Sequence, residues 1–546
     1  MQGLSRQERG SGARPADRGP AAGEGASPAG AARISPVALL AVVALCYAAA
    51  QLLLVSPRFA LEWDEAVYAS QFSGNGAPIA FHASRGWGTP LLVAPVVALT
   101  DSITVLRVYL TGVSALLLFV SFRLWLPLRP GRTVPVAAAL FAGCWPAVFY
   151  GDEAMPNVPT ALGAVALTAL ALRTATARGV PAGTAVATVG TVVVVSLFRP
   201  TDVTVIALTL AGALAFLLLS PARRRGTLIA IAALGAGLAA GWGLWIADAL
   251  RRYGGVAERL EKATENFGEY RWLGGQHLRA LDGPVVCSSH DTCGPVPVAG
   301  AVWLAVFLLL AAAGLASPRG RDRTAAGQGE DRTAAGRGEG RAVLAVPVVV
   351  AAGIAGAYLY YPSLTLPRYM LPAYGLLSIA AAAGLLRAAG ALRRRAAPAY
   401  AVACCCVVVG GHLWVQTSQL LDNVGRLMPG RARDVTVAAD LRKLGHGRPC
   451  LVYGWHAPQI GHYLGCEAAG TPGGQPLPAT PRHVAAKAAD GYAVIVVYKD
   501  DADRGAPDLA SWPRYRLPAS GWYARVNNGE IDTGVPPGRP YDEPGL

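Results

Sequence analysis

PVALLAVVALCYAAAQLLLVSPRFALEWDEAVYASQF, residues 36–72, holds two opposed kinds of chemistry. The run 36–55 carries no charged side chain, and at about 20 residues it matches the roughly 30 Å hydrocarbon core of a bilayer. Arg58 follows, and then Glu62, Asp64 and Glu65 fall within four positions. A chain that places three carboxylates just beyond an apolar run has either marked a boundary with charge or built a site there.

Runs of this kind recur along the chain. The 546 residues are 53% hydrophobic and 15% charged, and spans are expected at 36–56, 104–126, 133–150, 157–174, 181–198, 203–219, 227–247, 297–316, 343–361, 369–386 and 398–416. These eleven segments define an α-helical polytopic membrane protein. The shorter piece TPLLVAPVVAL, residues 89–99, does not reach across and is expected at the interface or re-entrant. The run 36–55 is too long for the apolar part of a secretory leader, and it reads as a retained first span behind a polar, disordered tail, 1–35.

The net charge of +14 does not point to nucleic acid, because the arginines sit in short loops between the spans. Arg123, Arg129 and Arg132, then Arg173 and Arg178, then Arg223 to Arg225, then six arginines between 319 and 341, then Arg387 and Arg393 to Arg395 fall on one side. The opposite loops carry Arg58, Arg85, Arg199 and Arg368. The positive-inside rule makes the first side cytoplasmic and predicts a multi-pass plasma-membrane protein with the N-terminus inside. The acidic stretch is then outside.

Two further regions are set apart by composition. The cytoplasmic stretch 318–341 holds the tandem repeat DRTAAGQGE–DRTAAGRGE and is expected to be a disordered loop. Beyond the last span, 417–546 reads as a small extracytoplasmic α/β domain, with strand-like PCLVYG and YAVIVVYKD around helix-like HAPQIGHYLGC. Of nine cysteines, Cys287, Cys293, Cys450 and Cys466 lie on the oxidising side, so Cys287–Cys293 and Cys450–Cys466 are expected as disulfides. A zinc site would need a CxxC spacing that is absent.

The outside loops also concentrate reactive side chains. The first holds His82 and Arg85 besides the three acids, the second Asp152 and Glu153, the third Arg199 and Asp202, and a later turn Tyr360, Tyr361 and Arg368. A solvated boundary would explain any one loop, since exposed ion pairs contribute little. Two Asp-Glu pairs with arginines on one face ask for more. The span centres hold few or no ionisable residues, whereas an ion-coupled transporter keeps such groups near the midplane.

The motif WDEAVYA just after the first span resembles the first-loop motif of the GT-C glycosyltransferases, above all protein O-mannosyltransferases and the aminoarabinose transferases acting on lipid A. The likeness continues through SRGWGTPLLVAPVVALTDSITVLRVYLTGVSALLLF, YGDEAMPNVPTALGAVA and LPRYMLPAYGLLSIAAA, over roughly residues 36–390. The resemblance implies transfer of a sugar from a polyprenyl-phosphate donor to a cell-envelope acceptor at the outer face, with inversion. It implies Asp64 as the base with Glu65 beside it as the catalytic pair, Arg107 steadying the loop, and Arg85 near a phosphate ligand. In those enzymes that ligand has a Lys-Pro context, where this chain has SRGWG. Arg85, Arg107, Asp152, Glu153, Arg199 and Arg368 form the expected substrate-binding set. No β-trefoil insertion is present to support a protein acceptor. Asp64, Glu65, Asp152 and Glu153 are also the oxygen ligands that a divalent cation would use, so metal dependence stays open. A lipid-linked saccharide transporter and a non-catalytic envelope-assembly partner are the competing functions.

The orientation has a direct test. A cysteine introduced at position 64 should react with an impermeant thiol reagent from outside intact cells, and one at position 330 should not. Labelling at 330 would invert the topology.

Overall fold

The computed structural model describes residues 34–177, 179, 182–264, 269–283, 287–288, 294–316, 334–362, 364–395, 398–445, 447, 449–454, 456–470, 480–499 and 511–527. The expected tail 1–35, apart from its last two residues, most of the loop 318–341 and Cys293 lie outside the described residues.

Among the described residues, nine helices are long and apolar enough to cross a membrane: Pro36–Val55, Ile103–Arg123, Asn157–Thr176, Pro200–Leu219, Pro221–Arg252, Val298–Leu315, Ala342–Leu359, Pro367–Arg395 and Pro398–Leu444. Two shorter apolar helices, Thr133–Ala142 and Ala182–Phe198, take the places of the other two expected spans. The first of them stops at Gly143, and helix resumes at Trp145–Phe149 after Cys144 takes an extended conformation. Gly143 packs closely against the last helix, since a Cβ there would come within 2.7 Å of His412 Nε2. The stretch expected to be too short to span forms the helix Gly88–Val97.

Small residues let these helices approach closely. A Cβ on Gly314 would fall 2.0 Å from the Ala380 carbonyl oxygen, and one on Gly384 would fall 1.9 Å from that of Leu310. Helices Val298–Leu315 and Leu371–Arg395 therefore cross backbone to backbone, with glycines on both sides. The second of them, like Asn157–Thr176, is buried along most of its apolar length.

The final helix departs from the expected boundary. Hydropathy falls away near 416, but Pro398–Leu444 is one helix of 47 residues, about 70 Å at 1.5 Å per residue. It leaves the apolar bundle and carries Arg431, Asp434 and Asp440, all buried, into the C-terminal region.

That region contains a five-stranded sheet. The expected strands and helix are Cys450–Gly454, Ala493–Tyr498 and Ala457–Leu464. The two strands pair in parallel and are buried throughout, which is why they read as continuous apolar runs. Glu467–Ala469 adds a parallel strand on one side, and Tyr523–Val526 and Arg514–Arg516 add antiparallel strands on the other. A disulfide joins Cys450 to Cys466. Gly465, just before it, meets the first loop after the first span: Gly76 sits at φ +153°, and a Cβ there would lie 2.1 Å from the Gly465 carbonyl oxygen. Only glycine fits that approach.

Candidate active site

The three acids of the opening stretch have three different duties. Helix Trp63–Ser70 begins at Glu62, whose carboxylate accepts the Asp64 N–H at 2.8 Å. Glu65 Oε2 accepts the Glu62 N–H at 2.9 Å, which completes a capping box. The loop can therefore start a helix abruptly, and Asp64, in the first turn, is left pointing away from Glu65.

Glu65 is fully buried and faces inward. Its two oxygens meet Arg107 Nη1 at 2.5 Å and Nη2 at 2.9 Å, and Oε1 also accepts the Ala154 N–H at 2.7 Å. Arg107 is equally buried, and its remaining donors reach the carbonyls of Phe59 (3.0 Å), Asp152 (2.9 Å) and Ala60 (3.2 Å). All five N–H groups of this guanidinium are engaged, so none is left for a substrate. Of the two roles expected of Arg107, the geometry supports holding the loop.

Arg431, on the long last helix, adds a second cation to this cluster. It lies 2.8 Å from Glu153 Oε1 and 3.5 Å from Glu65 Oε2, donates to the Ala60 carbonyl at 3.3 Å, and stacks its guanidinium 4.4 Å from the Phe59 ring centroid. Tyr463, from the C-terminal region, accepts the Leu61 N–H at 2.8 Å through its hydroxyl. Asp434 pairs with His456 Nδ1 at 2.7 Å one turn beyond Arg431. Arg431 and Tyr463 thus bring the end of the chain onto the first loop, a pairing that no local sequence pattern announces.

Asp64 faces the other way and remains 26% exposed. Its Oδ1 lies 2.6 Å from Arg85 Nη2, and its Oδ2 lies 3.2 Å from Arg368 Nη2. Aromatic faces fix both arginines, Arg85 over Tyr68 at 5.1 Å and Arg368 over Tyr150 at 5.5 Å. Burial pushes the Asp64 carboxyl up, but the charges of Arg85 and Arg368 outweigh it and hold the group below the usual aspartate range.

Arg85 is itself held from outside the first loop. Arg259 donates to the carbonyls of Ala83 at 3.2 Å and Arg85 at 3.4 Å, and pairs with Asp248 at 2.9 Å. Asp248 also accepts Trp87 Nε1–H at 3.1 Å. Arg199 pairs with Asp202 at 2.8 Å, and Asp202 accepts the Tyr358 hydroxyl at 2.6 and 2.7 Å. Arg199 thus contributes positive potential near Asp64 while its fork is tied to another acid. His82 Nδ1 lies 2.8 Å from Ser84 Oγ.

The remaining acids are held in a different state. Asp152 is buried with neither carboxyl oxygen hydrogen-bonded, and burial pushes its pKa up to about 7. Burial raises Glu153 to about 7 as well, and burial together with Asp64 raises Glu62 to about 7. Among the described residues, no group of three or more His, Cys, Asp or Glu side chains converges to hold a metal ion.

The expected residues therefore sort into two connected clusters. Glu65, Arg107, Asp152 and Glu153 form an inner one, and Asp64, Arg85 and Arg368 form an outer one with Arg199 close by. Helix Trp63–Ser70 joins them. Arg431, Arg259, Asp248 and Tyr463 are the additions.

No protein-family model matches the chain, and no curated protein matches it in sequence. Solved structures do match the fold. The aminoarabinose lipid A transferase ArnT from Cupriavidus metallidurans, bound to undecaprenyl phosphate, superposes with a TM-score of 0.59 at 14% identity over 91% of this chain and 98% of that one. Its apo form gives 0.56 at 16% identity over 90% and 98%. The apo oligosaccharyltransferase of Archaeoglobus fulgidus gives 0.53 at 11% identity over 85% and 69%. The fold is that of the GT-C membrane glycosyltransferases, and the protein is a multi-pass membrane protein built on it.

Asp152 supplies a pH test. Its folded-state pKa lies above the unfolded one, so the stability it contributes is present at low pH and is lost as pH rises through about 7. Asp152→Asn stays neutral at every pH. Its melting temperature in detergent should match that of the native protein near pH 4 and exceed it increasingly up to pH 7. A difference independent of pH would show that Asp152 is ionised in the fold.

Proposed function

We propose that this protein is a membrane glycosyltransferase that moves a sugar, hexosyl or pentosyl, from a polyprenyl-phosphate donor to a cell-envelope acceptor hydroxyl at the outer face of the membrane. The observation that carries the reading is the setting of Asp64, a partly exposed carboxylate between two guanidiniums, on a fold shared with a transferase solved with undecaprenyl phosphate bound.

In this reading Asp64 accepts the proton of the acceptor hydroxyl as its oxygen bonds to the anomeric carbon. The bond from that carbon to the phosphate oxygen breaks, and its electron pair leaves with the polyprenyl phosphate. Arg85 and Arg368 receive the negative charge that develops there, as charge-assisted donors in a partly buried setting. Glu65 does not touch the reacting atoms. With Arg107 and Arg431 it is a positioning residue that holds the turn on which Asp64 stands.

A matched pair of substitutions tests the role of Asp64. Asp64→Asn keeps the shape and loses the basicity, so turnover with purified protein and lipid-linked donor should fall by about 10²–10⁴-fold, the usual contribution of a general base. Glu62→Gln keeps an oxygen to cap the Asp64 N–H and should remain near native rates. Equal activity of the two variants would reduce the acidic run to a boundary marker.

A further inference from the structure

We propose that Asp64 is a displaceable occupant of the donor's phosphate seat. Its carboxylate holds the place between Arg85 and Arg368 until the phosphate of a polyprenyl-linked sugar takes it, and only then is the base free. This rests on the glycosyltransferase reading above.

The contacts have the form of an anion site already filled from within. The two Asp64 oxygens go to different guanidiniums, Oδ1 to Arg85 and Oδ2 to Arg368, as two oxygens of one phosphate would. Arg368 is more than nine-tenths buried, yet its Nε–H finds no acceptor in the structure. A buried donor on a cation is costly to leave unmade. A planar carboxylate shared between two arginines leaves that third direction empty, and a tetrahedral phosphate has a further oxygen to fill it.

Charge favours the exchange. Among the side chains in direct contact, Arg85 and Arg368 face one carboxylate and leave a net single positive charge; Arg199 is matched by Asp202, and Glu62, which faces Arg368, is raised to about 7. The phosphodiester of a lipid-linked sugar carries one negative charge, and the phosphomonoester left after transfer carries about 1.5 to 2 at pH 7. Either can take the arginines if Asp64 lets go. Because Asp64 is partly exposed, its own ion pairs are weakened by solvent and can be broken.

The exchange would couple the base to the donor. While bridged to both arginines, Asp64 is a poor proton acceptor. Once the phosphate draws the guanidiniums to itself, the carboxylate regains basicity beside the anomeric carbon. After transfer, Asp64 releases its proton to water and can compete for the arginines again, which helps expel the phosphate product.

Binding of undecaprenyl phosphate to the purified full-length protein in detergent separates the outcomes. Asp64→Asn and Asp64→Ala, two variants that empty the seat in different ways, should bind about tenfold tighter than the native protein, a change of about 1.4 kcal/mol. Arg85→Gln and Arg368→Gln should bind tenfold or more weaker. Undecaprenol, which lacks the phosphate, should bind all five proteins alike. If the arginine variants weaken but both Asp64 variants bind no tighter than native protein, the exchange is wrong and the donor site stands. If undecaprenol shows the same gain, the effect lies in the lipid tail and the exchange is again wrong. If native protein and the arginine variants bind undecaprenyl phosphate equally or not at all, the donor reading falls and the exchange with it.

Discussion

The Arg107 guanidinium organises the site. It is fully buried, it takes both oxygens of Glu65, and its other donors reach three backbone carbonyls, two before the acidic helix and one in the second acidic loop. An isolated buried charge would be strongly unfavourable, and removing one partner of such a pair typically costs about 3–5 kcal/mol. The loops at this end of the bundle are therefore tied to one another through a side chain that begins the helix Ile103–Arg123. Arg431 makes the same demand from the far end of the chain, where Glu153 and Glu65 face it at 2.8 and 3.5 Å.

Against that fixed centre, Asp64 is conspicuous for what does not hold it. Glu65, its neighbour, is buried and paired through both oxygens, while Asp64 is partly exposed and lies between Arg85 and Arg368. Adjacent residues at the start of a helix point about 100° apart, so one short turn can carry an anchored acid and a partly exposed one. The opening stretch spends three carboxylates because one caps the helix, one anchors it and one is presented.

Much of this could be read from the chain itself, for physical reasons. Apolar runs of bilayer length declare themselves as helices. The two central strands of the C-terminal sheet, Cys450–Gly454 and Ala493–Tyr498, are buried on both faces and so show as unbroken apolar runs. Arg514–Arg516 and Tyr523–Val526 are short and only partly buried, and nothing in their composition distinguishes them from loop. The run past 416 loses its hydropathy where the last helix leaves the apolar bundle, so the continuity of Pro398–Leu444 was hidden. With it was hidden the arrival of Arg431 at a glutamate 366 positions away. Arg259 was hidden in the same way, since a lone arginine in a polar helix gives no sign that it will bind the backbone of Arg85. Local pattern marks which residues can do chemistry, and only the packing of distant segments decides which of them are free to do it.

The central claim is that Arg85 and Arg368 form a phosphate seat beside the Asp64 base. A structure determined with undecaprenyl phosphate bound tests it most directly. The account predicts the phosphate between the two guanidiniums, with a further oxygen on Arg368 Nε and the Asp64 carboxylate withdrawn from both arginines, while the Glu65–Arg107 pair is unchanged. A phosphate bound elsewhere, with Asp64 still bridging Arg85 and Arg368, would contradict it.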